Sequence, residues 1–160
     1  MVNIVSVTQG EEDTLHHLMQ FYIYEFTVFQ DIKIERNGKY TPFDLMPYWT
    51  EPNLHAFFIV HENELAGFSL VESGSEDQPH IIREFFILRK FYRRGFGKAA
   101  AVKLFDMFQG KWSITQIEKN EPAKAFWRKI IREYTGGNYT ERSDNRKRSI
   151  QEFDTALILK

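Results

Sequence analysis

The chain has 160 residues, a length that suits one domain, residues 1–160, around a single sizeable core. Its formal charge is −1, from 21 basic and 22 acidic residues, so the chain as a whole has no bias toward nucleic acid and any basic site must be local. The absence of cysteine excludes disulfides, thiolate metal sites and a cysteine nucleophile.

From the start, Val2, Ile4, Val5 and Val7 alternate with polar residues and read as an edge strand. No long apolar run marks a signal peptide, so a soluble cytoplasmic protein with no membrane partner is expected. Thr8-Gln9-Gly10-Glu11 is a capping box that should open a helix. Leu15, Leu18, Met19, Tyr22, Phe26 and Phe29 keep helical spacing to about residue 30. Residues 31–53 hold Gly38 and three prolines, which predicts a loop with a short helix near Phe43 to Tyr48. Leu54 to Val60, the turn Glu62-Asn63 and Leu65 to Val71 form a predicted hairpin.

Ile81 to Leu88 is mostly apolar without a helical stripe and reads as a mid-sheet strand buried on both faces. Arg93-Arg94-Gly95-Phe96-Gly97-Lys98 follows, and then Phe96, Ala100, Leu104 and Phe108 recur every four residues as an amphipathic helix ending near Gly110. A helix opening out of a glycine loop offers unpaired N–H groups and the positive end of its dipole, a setting suited to phosphate. Between Arg83 and Lys98 there are six basic residues and one acid, Glu84. A Walker loop is excluded because one residue separates the glycines and Ala99 follows Lys98. A dinucleotide fingerprint tolerates Ala100 but lacks the acidic residue that a ribose needs.

Trp112 to Ile117 reads as a strand parallel to the central one, since a helix connects them. Asn120 caps the next helix, with Pro122 in its first turn, Phe126, Trp127, Ile130, Ile131 and Tyr134 on its buried side, and Gly136-Gly137 ending it. Asn138 to Arg142 and Ile150 to Leu159 complete the chain as a last antiparallel hairpin. Histidines 16, 17, 55, 61 and 80 show no ligand spacing, so no metal is expected.

The segment Tyr92-Arg93-Arg94-Gly95-Phe96-Gly97 resembles motif A of the GNAT N-acetyltransferases, Gln/Arg-x-x-Gly-x-Gly/Ala between a central strand and a helix, with tyrosine in the first position. Asn120, Ala123 and Trp127 match the spacing of a second family feature, Asn-x-x-Ala-x-x-x-Tyr. The resemblance spans essentially the whole chain and implies an α/β (α+β) fold, a mixed, mostly antiparallel sheet of about seven strands flanked by about four helices in the order β-α-α-β-β-β-α-β-α-β-β. It also implies acetyl-CoA as co-substrate, gripped by residues 93–98 and by Ala99 in the helix's first turn. The backbone of Phe86, Ile87 and Leu88 would face pantetheine and the thioester, with Asn120 and Trp127 beside the cofactor.

The implied acceptor is an amine of a small molecule or peptide, and a homodimer stays open as an assembly. Glu84, the one carboxylate on the central strand, is the candidate base. Trp127 stands where the family has a proton-donating tyrosine, so water or Tyr134 would protonate the leaving thiolate. A side chain at Gly95 or Gly97 is expected to block phosphate without disturbing the fold. Two other readings stay open, a CoA-binding module without turnover and a transferase of another acyl group.

Overall fold

The computed structural model describes residues 1–158. Strand β1 (Val2–Ser6) leads into a 3-10 turn over Gln9–Glu11, where the Thr8 N–H and hydroxyl both donate to the Glu11 carboxylate at 3.1 and 3.0 Å. The capping box therefore opens the turn that continues into α1 (Glu12–Phe26). Helix α1 stops four residues short of the expected end, where the Thr27 hydroxyl bonds the Tyr24 carbonyl at 2.6 Å and competes with the helical ladder. The short helix is α2 (Met46–Thr50), later than expected, because Pro47 fits only in a first turn and the Asp44 carboxylate accepts the Met46 N–H at 3.1 Å.

Strands β2 (Leu54–His61) and β3 (Glu64–Glu72) form the hairpin, its turn held by Glu62 and Asn63 at φ 49° and 65°. Then follow β4 (His80–Ile87), α3 (Phe96–Met107), β5 (Lys111–Gln116), α4 (Glu121–Thr135), β6 (Thr140–Ser143) and β7 (Ser149–Asp154). Helix α3 closes before Gly110, with Phe108 leaving the helical region just after its last residue. The last strand ends at Asp154, whose carboxylate caps a 3-10 turn through the Ala156 N–H at 3.0 Å. The expected end of that strand, Leu159, lies outside the described residues.

One seven-stranded sheet runs β1-β2-β3-β4-β5-β7-β6, antiparallel except between β4 and β5, so β4 is the middle strand. The element order is the expected one. Helices α1 and α2 cover one face through Leu15, Leu18, Met19, Phe58, Phe68 and Leu70. Helices α3 and α4 cover the other through Leu104, Phe105, Trp112, Trp127 and Ile131.

Strand β4 is not buried on both faces along its length. Only Phe86 and Ile87 are buried, and Arg83 is exposed. The cause is topological: β4 and β5 pair only at His80–Trp112 and Ile81–Ser113 and then separate. Beyond Ile81 no neighbouring strand covers that edge of β4.

Candidate active site

The backbone facing this slot follows from the β3–β4 register. Leu88 donates its N–H to the Ala66 carbonyl at 2.8 Å, and Phe68 pairs with Phe86 and Leu70 with Glu84. Residues along a strand alternate in the direction of their backbone groups, so the N–H groups of Phe86 and Leu88 turn toward β3 while those of Phe85 and Ile87 turn into the slot. Of the three residues expected there, Ile87 alone keeps a slot-facing amide. Leu88 is fully engaged, since its carbonyl also accepts from Phe91 N–H at 2.9 Å. Phe85, which sequence reasoning missed, supplies the second donor. Gly67 makes the close approach between β3 and β4 feasible, because a Cβ there would lie 1.9 Å from the Phe86 carbonyl oxygen.

At the end of β4 the chain turns into the cradle. Arg93 and Gly95 both take left-handed conformations, φ 58° and 77°, and Gly95 is the N-cap of α3. The Ala99 N–H bonds the Gly95 carbonyl at 3.0 Å, so Ala99 closes the first helical turn instead of offering its amide. The amides of Phe96, Gly97 and Lys98 precede that bond and have no intrahelical partner. Space beside Gly95 is open, but a Cβ on Gly97 would meet the Phe126 ring at 2.7 Å. A side chain at Gly97 would force the Phe126 ring aside, so the expectation that it leaves the packing of α3 on α4 undisturbed is corrected.

The local basicity is largely neutralised by acids from elsewhere. Arg83 pairs with Glu72, Arg89 with Glu25, Lys90 with Glu64 and Lys98 with Glu133. Arg94 lays its guanidinium over the Phe96 and Phe91 rings, 4.9 and 5.9 Å from their centroids. Arg93, Arg94 and the α3 dipole are therefore the main positive features at the cradle.

Glu84 lies on the α1/α2 face. The register skips a residue between Ile82 and Glu84, leaving Arg83 as a bulge and placing Arg83 and Glu84 on the same side of the sheet. The Tyr22 hydroxyl of α1 donates to Glu84 Oε2. Burial raises the Glu84 carboxyl above its ordinary range, against the opposing pull of the Tyr22 hydrogen bond and the Arg83 charge. Burial and then the Glu84 charge hold the Tyr22 phenol well above its ordinary value. Tyr48 of α2 is pushed up to about 12, mainly by burial, with Arg83 opposing and Glu84 and Glu72 adding to the rise. A protonatable carboxylate thus stands on one face of β4, while the cradle lies at its end.

The family model described as Acetyltransferase (GNAT) family matches residues 15–131. The chain belongs to the GNAT acetyltransferase family. It is accordingly an acyltransferase. An acetyltransferase of Thermus thermophilus superposes with a TM-score of 0.70 at 15% identity, covering 96% of this chain and 97% of that one. The PaiA N-acetyltransferase of Thermoplasma acidophilum, solved in complex with coenzyme A, gives 0.69 at 8% identity, covering 96% and 99%. The ribosomal-protein-S18-alanine N-acetyltransferase of Escherichia coli gives 0.64 at 12%, covering 97% and 94%. At these identities the superpositions establish the fold. Among curated proteins none matches the chain significantly.

Against the GNAT pattern, α4 holds its residues as follows. Asn120 caps the helix by accepting the Ala123 N–H at 3.1 Å. Trp127 is buried against Phe85 in an edge-to-face contact with centroids 5.0 Å apart, on the α3/α4 side of the slot. Tyr134 is not brought to the slot. Its hydroxyl donates to Asp106 at 2.8 Å, and Asp106 lies nine residues beyond Gly97, roughly 14 Å along α3. Burial and the Asp106 carboxylate raise the phenol's pKa, so Tyr134 is a brace between α3 and α4 and a poor proton source. Among the described residues no three His, Asp or Glu side chains converge as a metal site.

Proposed function

We propose that the protein transfers an acetyl group from acetyl-CoA to a primary amine of a small molecule or peptide. The observation that carries this reading is the continuity of the Phe85 and Ile87 amides in the slot with the unpaired amides of Phe96, Gly97 and Lys98 at the head of α3. The first pair suits a thioester carbonyl and a pantetheine amide, and the second suits a pyrophosphate. The residues present fit acetyl-CoA, which would supply the activated acyl group. Residues 1–160 would act as one domain.

Glu84 is the base of this reading. A lysine-like amine with pKa of about 10.4 costs roughly 4.6 kcal/mol to deprotonate at pH 7, and a carboxylate in a half-dry setting can take that proton as the amine nitrogen bonds to the acyl carbon. The Phe85 N–H, deeper in the slot, would hold the negative charge that develops on the carbonyl oxygen, while the Ile87 N–H, nearer the cradle, would meet the pantetheine amide. As the carbon–sulfur bond breaks, the sulfur leaves as thiolate. The Trp127 indole cannot serve as an acid at neutral pH, so water protonates the thiolate, and the proton that Glu84 took returns to solvent. With a cysteine-like pKa near 8.5, departure unprotonated costs only about 2 kcal/mol.

Calorimetry with CoA at low and high salt tests the donor site. Binding that weakens as salt rises supports the phosphate cradle, and no binding at low salt overturns it. Trp127 favours one rival, a binding module that has lost its chemistry. Turnover of acetyl-CoA on any member of an amine and peptide panel, followed by mass spectrometry, excludes that rival.

A further inference from the structure

The slot between β4 and β5 has a closed end and an aromatic wall. It closes at Ile81, the last residue paired with β5. On the α3/α4 side Phe85, whose own N–H faces the slot, stands edge-on to Trp127. The Phe126 ring lies 5.8 Å from Phe85 and 5.0 Å from Trp127, centroid to centroid, and its edge presses on Gly97. The wall therefore runs from the second glycine of the cradle to the backbone that would hold the thioester.

This wall has little room to retreat. Trp127 is 6% exposed and backed at 6.4 Å by Phe105, which is fully buried in the same core. Displacing it means forcing volume into a close-packed interior. The other side of β4 carries the half-buried Glu84 carboxylate, bonded to Tyr22, and a hydrocarbon chain laid over it would strip it of its remaining solvent. The GNAT pattern has a tyrosine where Trp127 stands, and indole is the bulkier ring.

We propose that the Phe85–Trp127 pair limits the length of the donor's acyl group, admitting acetyl and propionyl and excluding hexanoyl. The inference rests on the CoA reading above and deepens it. The test is calorimetry of the full chain with free CoA and with acetyl-, propionyl-, butyryl- and hexanoyl-CoA. Hexanoyl-CoA should bind the wild type at least about tenfold more weakly than acetyl-CoA, since a pocket discriminates by a factor of this order for each misfit methylene. In Trp127→Leu the two should come within about threefold of each other, as the vacated volume accepts the chain.

If Trp127→Leu does not fold, Phe85→Leu is read by the same ratio. Hexanoyl-CoA binding the wild type as tightly as acetyl-CoA overturns the inference, as does an unchanged ratio in a folded variant of either residue. Failure of free CoA and every thioester to bind instead overturns the donor-site reading itself, so the two failures are distinct.

Discussion

In the proposed reaction Glu84 would trade stability for chemistry. Its carboxyl is raised from an ordinary value of 4.5 by burial, so the folded state holds its proton more tightly than the unfolded state does. Stability from this group is therefore greatest at low pH and is lost as pH rises through 4.5 toward the raised value. Glu84→Gln, which removes the charge and keeps the shape, should melt higher than wild type at pH 7 and close to it at pH 4, by thermal denaturation. The same change should lower kcat/KM about 100-fold at pH 7 and less at pH 9, where more amine is already neutral. An unchanged rate at pH 7 would leave Glu84 a structural residue. Tyr22 separates the two roles further. Its hydrogen bond pulls the Glu84 carboxyl down, so Tyr22→Phe should move the acidic limb of the kcat/KM profile to higher pH.

Among the elements, α3 and α4 meet where the Phe126 ring lies against Gly97. Adding a methyl at Gly97 forces that ring aside, so Gly97→Ala should lower stability by about 1–3 kcal/mol, in the range of overpacked cores. Phe126→Leu in the same chain should recover part of that loss in denaturant titrations, whereas Gly95→Ala should gain nothing from it. Gly95 has open space around it and suffers only its left-handed φ of 77°, a cost of roughly 1–2 kcal/mol. Additive losses for Gly97→Ala and Phe126→Leu would show that the two do not share a contact. The elements are legible in the sequence wherever a local signal sets them: the Thr8–Glu11 box, the Glu62-Asn63 turn, Asn120 as a cap, Gly136 past the end of α4. What escapes is non-local. Whether an amide of β4 faces β3 or β5 depends on register, which Gly67 and the bulge at Arg83 set from across the sheet, so the sequence points to Leu88 in the slot and passes over Phe85. The basic run misleads for the same reason, since Glu25, Glu64, Glu72 and Glu133 come from distant segments.

For the whole molecule, the sheet has a seam. Strands β1 to β4 form one antiparallel block and β5, β7 and β6 another, joined in the ladder only at His80–Trp112 and Ile81–Ser113 and bridged above by α3 and α4. A sequence reader can anticipate a parallel pair from the intervening helix, but the point at which that pair separates is a balance of twist and packing that no local motif encodes. The separation leaves alternate amides of a mid-sheet strand without partners, an arrangement that a finished ladder would not tolerate. Hydrogen exchange followed residue by residue can therefore read the site directly. In the free protein the Phe85 and Ile87 amides should exchange at least about tenfold faster than those of Phe86 and Leu88, which are tied to β3. Saturating acetyl-CoA should slow Phe85 and Ile87 and leave Phe86 and Leu88 changed only by the common gain in global stability, about 2.7 kcal/mol at a ligand concentration roughly 100 times Kd. Equal protection of all four amides in the free protein would mean that the slot is closed in solution. Selective slowing of Phe86 and Leu88 would reverse the assigned direction of the strand's donors and move the carbonyl site to the other edge of β4.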